Sequence, residues 1–72
     1  MSKELNYELA DSIYYQRRNK GLSLRSLEAI TGVGKTTIND WENGLVRPTR
    51  SRYAKVAKVL GTPVKKYSKY LV

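Results

Sequence analysis

Apolar side chains recur at helical spacing in five short stretches, and glycine or proline stands between the stretches. Leu9 and Ile13, continued by Gln16-Arg17 at spacings of four and three, predict a first helix over about 6–19. Lys20-Gly21 ends it. Leu24, Leu27 and Thr31 form the next stripe, with Ser23 placed to cap it. Ile38 and Trp41, three apart, mark a third helix over 35–42. Tyr53, Val56, Ala57 and Leu60 mark a fourth, with Thr49 as N-cap and Gly61 as stop. Thr62-Pro63 reads as N-cap and first-turn proline of a short fifth helix that buries Val64 and Tyr67. No strand pattern is found. The expected fold is all-α: one compact five-helix domain over residues 1–72, with its core at about 9–67.

The two middle helices are the most informative. Thr31-Gly32-Val33-Gly34 is a turn signal, because a glycine just past an apolar-periodic stretch is where a helix ends in the left-handed conformation. Asn43-Gly44 then closes the second helix, and Leu45-Val46-Arg47-Pro48 connects it onward. Two short helices joined by a tight turn, the second polar, is the layout of a helix-turn-helix that sets its second helix in the major groove of DNA.

Charge sharpens that reading. Fourteen basic residues against six acidic ones give a net charge of +8 on 72 residues. Residues 1–43 balance, with Lys3, Arg17, Arg18, Lys20, Arg25 and Lys35 set against all six acids. The whole excess falls in residues 44–72: Arg47, Arg50, Arg52, Lys55, Lys58, Lys65, Lys66 and Lys69. Such a domain attracts a polyanion, although Lys55, Lys58, Lys65, Lys66 and Lys69 read more simply as solvated helix faces. With no cysteine and no histidine, neither disulfides nor the usual metal and general-base chemistry is at hand. No catalytic constellation can be assembled, so the chain is read as a non-enzyme with no cofactor and no evident small-molecule ligand. No apolar run approaches the roughly 18 residues of a membrane span, and the expected location is cytoplasmic.

The run Gly32-Val33, Thr36-Thr37-Ile38, Trp41-Glu42-Asn43-Gly44 and then Pro48 closely resembles the lambda-repressor/Cro-like family, also called the XRE family. Upstream, Ile13, Arg17 and Leu22-Ser23 resemble its first helix and the start of its second. Downstream, Pro48-Thr49 and Ala54 to Gly61 resemble its fourth helix. The similarity covers roughly Leu9 to Tyr67. It implies that Arg17 pairs with Glu42 and is turned toward the DNA backbone; sequence alone leaves open that both are solvated. Three positions depart from the family pattern. Leu24 replaces a glutamine that contacts phosphate, Gly34 replaces a capping Ser or Thr, and Glu28 occupies a site that is usually small.

With Ile38 and Trp41 turned inward, Lys35, Thr36 and Asp40 are expected on the base-reading side of helix 35–42, with Thr37 and Asn39 at its edges. Lysine donates to guanine, threonine meets a thymine methyl, and aspartate accepts from cytosine. Asp40 is also readable as an exposed acid paired with a nearby base. Arg17, Arg25, Arg47 and Arg50, with the backbone N–H groups of Asn43 and Gly44, are the expected phosphate contacts. Among the tyrosines, Tyr53 and Tyr67 fit core stripes better than stacking platforms. Tyr70-Leu71-Val72 is either a dimer contact or a frayed end.

The expected function is that of a sequence-specific regulator, repressor-like, binding a palindromic double-stranded DNA operator as a homodimer. Half-sites would lie about 34 Å apart. An antitoxin-like protein-interaction module is the alternative, with Ile30, Leu45, Val46, Leu71 and Val72 as its candidate apolar surface. A general basic binder of nucleic acid or anionic membrane is a third.

Overall fold

Every glycine or proline boundary in the chain falls at a helix end. The computed structural model describes residues 4–72, with side-chain surroundings from Tyr7 onward; the expected domain also includes residues 1–3, which lie outside the described ones. Four α-helices and a 3₁₀ segment follow in order: α1 (Glu4–Asn19), α2 (Leu24–Thr31), α3 (Lys35–Glu42), α4 (Arg50–Leu60) and the 3₁₀ segment Val64–Tyr70. There is no strand among the described residues.

Local chemistry sets the turn of the helix pair. The Ser23 hydroxyl accepts the Ser26 N–H at 3.0 Å and opens α2. Gly32 closes it at φ 79°, donating its N–H to Glu28 O. That left-handed conformation costs a glycine nothing and a β-carbon about 1–2 kcal/mol. Thr31 then does two things. Its hydroxyl donates back to Leu27 O at 2.7 Å and accepts the Val33 N–H at 3.1 Å. This bracket steers Val33 out of the turn and into the core, where it is buried. Its burial carries no periodic signal, since Val33 lies between helices.

The core joins Leu9 and Ile13 of α1, Leu27 of α2, Ile38 and Trp41 of α3, and Tyr53, Val56 and Leu60 of α4. The Trp41 and Tyr53 rings meet edge to face with centroids 6.5 Å apart, a favoured aromatic geometry. Helix α3 packs against both α1 and α2, so its inward face is fixed from two sides. Burying each such side chain stabilises the fold by roughly 1.5–3 kcal/mol.

Two expectations are corrected at the C-terminal end. The expected fifth helix forms, as a 3₁₀ segment with a kink at Tyr67. Pro63 occupies the cap position, and Thr62 makes no capping bond: its Oγ1 is buried without a hydrogen-bond partner. Nor do Tyr70 and Leu71 fray or stand open for a second copy. They are 3 % and 9 % exposed and complete the core beneath α1. The Tyr70 hydroxyl donates to the Glu8 carboxylate. Val72 keeps its side chain outside while its N–H donates to Pro48 O at 2.8 Å.

Candidate nucleic-acid interface

Helix α3 presents its polar residues on two flanks. Lys35, Thr36 and Asn39 are exposed and share a shallow groove with Leu24 of α2. Thr37 and Asp40 are half-buried on the other flank. There they line a cleft with Val46, Arg47, Thr49 and Arg52. Asn39 is thus more open, and Asp40 more enclosed, than the three-residue spacing of Ile38 and Trp41 alone implies. The connector contributes to this: Val46 and Arg47 line the cleft beside Asp40, and the Leu45 N–H closes the helix end by donating to Asp40 O at 3.0 Å.

Gly34 caps α3 without a side chain, so the cap residue offers no side-chain oxygen to the first turn. The N–H groups there are among the four a helix cannot satisfy internally, and they favour an approaching anion. No acidic residue stands in that turn.

The expected phosphate contacts divide by environment. Arg25, in the first turn of α2, and Arg50, the first residue of α4, are exposed. Arg17 is 7 % exposed. It bridges α1 to α3 through Glu42 and also donates from Nη1 to Leu22 O at 2.8 Å. The Glu42 hydrogen bond holds its guanidinium above its usual pKa against the opposing effect of burial. Its role here is to brace the helix pair from within. Arg47 donates from Nε to Tyr70 O at 3.1 Å and from Nη2 to Lys69 O at 3.3 Å. It fastens the connector to the C-terminal segment, a structural task that no sequence spacing announces.

The backbone N–H groups of Asn43 and Gly44 are corrected. They close the end of α3, donating to Asn39 O and Trp41 O, and are not turned outward for phosphate. Asn43 keeps an exposed side chain at the same edge.

Arg52 is the residue that sequence reasoning passed over. It is exposed and shares the cleft with Thr37 and Asp40. The signal was present: with Thr49 accepting the Arg52 N–H, Arg52 sits in the first turn of α4, one turn before the inward Val56. Leu24 lies half-buried against the core and offers no polar atom at the groove floor. Glu28 is half-buried on α2.

Comparison with known proteins bears on this arrangement. A family model described as "Helix-turn-helix" matches residues 13–67. The crystal structure of an HTH_3 family transcriptional regulator from Vibrio cholerae superposes with a TM-score of 0.79 at 25 % identity. The similarity covers 93 % of this chain and 38 % of that one, so the chain spans well under half the length of the regulator it matches. No curated protein sequence matches the chain.

Proposed function

The chain belongs to the HTH_3 helix-turn-helix family, the lambda-repressor/Cro-like type that its residues resemble, and from that premise we propose that it is a sequence-specific transcriptional regulator. In this reading α3 enters the major groove of double-stranded DNA. Lys35, Thr36 and Asn39 meet base edges from one flank, and Thr37 and Asp40 from the other. Arg25, Arg50 and the side chain of Asn43 take phosphates and fix the register. Arg17 and Arg47 contribute from beneath, holding α3 and the connector in position. The protein acts by occupying its site and catalyses nothing.

The observation that carries the proposal is the opposed pair of flanks on α3. Ile38 and Trp41 anchor it inward, while Lys35, Thr36 and Asn39 stay exposed beside an acid-free first turn that carries no side-chain cap. A half-buried Asp40 in such a place costs affinity for any duplex that lacks a donor opposite it, which favours selectivity over general attraction.

We extend the proposal to a homodimer on a palindromic operator. Leu45 and Val46 are 70 % and 50 % exposed immediately after α3. Val72, also exposed, is tied beside this connector by its bond to Pro48. These three aliphatic side chains are the contact surface in place of the buried Tyr70 and Leu71. Such a patch is small beside the roughly 800 Å² per partner of a standard interface, so the pairing is expected to form on DNA.

Selection of bound duplexes from a random pool at about 0.15 M salt tests the whole reading, because screening at that strength weakens purely ionic attraction. A palindrome with half-sites one helical turn apart is the expected outcome. A single half-site would remove the dimer, and no enrichment at all would remove the regulator.

A further inference from the structure

We propose that Arg18, held in place by Tyr14, contacts a phosphodiester of the same duplex that α3 reads. This rests on the DNA-binding reading above and adds two residues to it. Arg18 and Arg17 are neighbours on α1 with different fates. The charge of Arg17 is answered by Glu42. Arg18 is exposed, and among the described residues no carboxylate forms an ion pair with it.

Arg18 is nonetheless not loose. Its Nη1 donates to the Tyr14 hydroxyl at 3.2 Å, and its guanidinium carbon lies 5.6 Å from the Tyr14 ring centroid. Arg17 lies 5.5 Å from the same ring. Tyr14 is half-buried and braced edge to face by Tyr15, with centroids 5.1 Å apart. A cation this close to a ring face is attracted to it. Ordering a long side chain in advance removes part of the entropy that a contact would otherwise cost. An exposed arginine held by a tyrosine but given no acid is pre-positioned for an external anion.

Position identifies the anion. Arg17 and Arg18 line a surface basin whose floor is Gly21, Leu22, Ser23 and Leu24. Leu24 also lines the groove of Lys35, Thr36 and Asn39. The basin and the base-reading flank therefore meet across one side chain. A strand whose bases face that flank carries its backbone over Leu24 into the basin, where the guanidinium fork matches phosphate oxygens. Tyr14 is a positioning residue and touches no nucleic acid.

The test uses the full chain, the selected duplex and a scrambled duplex, with fluorescence anisotropy from about 0.05 to 0.2 M salt. Arg18→Ala should weaken both duplexes by the same factor, about tenfold, and lower the slope of log affinity against log salt by about one unit. Arg18→Lys should keep the slope, and Arg18→Gln should lose it as alanine does. Tyr14→Phe keeps the ring and removes the hydroxyl. It should cost about twofold to threefold, a fraction of one hydrogen bond, with the slope and the thermal midpoint unchanged. If Arg18→Ala and Arg18→Gln both match the parent in affinity and slope, the inference is overturned. A parent chain that binds both duplexes alike refutes the sequence-reading proposal instead, and the Arg18 slope still decides this one. A parent that binds neither duplex refutes both.

Discussion

Arg17 and Glu42 meet fork to fork between α1 and α3, Nε to Oε2 at 2.7 Å and Nη2 to Oε1 at 3.0 Å, with side chains 8 % and 4 % exposed. Removing one member of such a pair leaves a buried charge unanswered, which costs about 3–5 kcal/mol. A small domain has only about 5–15 kcal/mol in total. Glu42→Ala should therefore cut the urea-unfolding free energy by that amount, and Arg17→Met with Glu42→Leu should recover most of it. A loss below about 1 kcal/mol in the single variant would mean that water reaches the pair, as at an exposed site.

Base-reading and phosphate-holding residues should separate cleanly. Thr36→Ala and Asp40→Ala should change which bases are selected at one or two positions. Arg50→Ala should weaken all duplexes alike and lower the salt slope by about one unit. Arg47→Ala should also lower the thermal midpoint, because Arg47 holds the carbonyls of Lys69 and Tyr70. If both groups gave the same profile, the assignment of α3 as the reading element would fail.

Gly44 stands at φ 71°, and a β-carbon built there would overlap Tyr7 ring carbons. Gly44→Ala thus meets two separable penalties: the left-handed backbone, about 1–2 kcal/mol, and the displaced ring. Adding Tyr7→Ala should relieve the second and leave the first. A double-mutant cycle with no coupling would contradict the close approach.

Thr62 carries a buried hydroxyl with no hydrogen-bond partner. Replacing it by an isosteric methyl removes a desolvated polar group, so Thr62→Val should stabilise by about 1 kcal/mol. A destabilised variant would reveal a bond to water at that site.

Burial pushes the Tyr53 phenol from 10.0 up to about 12, with Tyr67 a smaller cause. Its folded pKa lies above its unfolded one. The stabilisation is therefore full below pH 10 and is lost as pH rises through about 12, some 3 kcal/mol in all. Tyr70 shifts the same way, chiefly through its bond to Glu8. Urea midpoints between pH 8 and pH 12 should fall accordingly, and Tyr53→Phe should flatten the decline.

Much of this was legible because the deciding signals are local. Ser23, Thr49, Gly32 and Gly61 act within one turn of their own positions, and the ends of α2 and α4 fall where those residues place them. The inward faces of α3 and α4 follow from spacing alone. The helix at Val64–Tyr70 was legible from Thr62-Pro63, but its 3₁₀ winding and its extension to Tyr70 were not, because a 3₁₀ turn has no 3.6-residue stripe. The burial of Tyr70 and Leu71, the inward engagement of Arg47 and the enclosure of Asp40 share one cause. Each depends on where the connector at 45–48 lies against distant chain, which no window of sequence contains.

The Glu8–Tyr70 hydrogen bond links groups 62 positions apart, and that span imposes an order on birth. On the ribosome, α1 through α4 emerge first and can assemble through nearer neighbours. The underside of α1 stays uncovered until Tyr70 and Leu71 arrive, and long-range closure is the slow, exposed step of folding. Helix α1 precedes the other described helices, and its sealing waits on the residues that follow them.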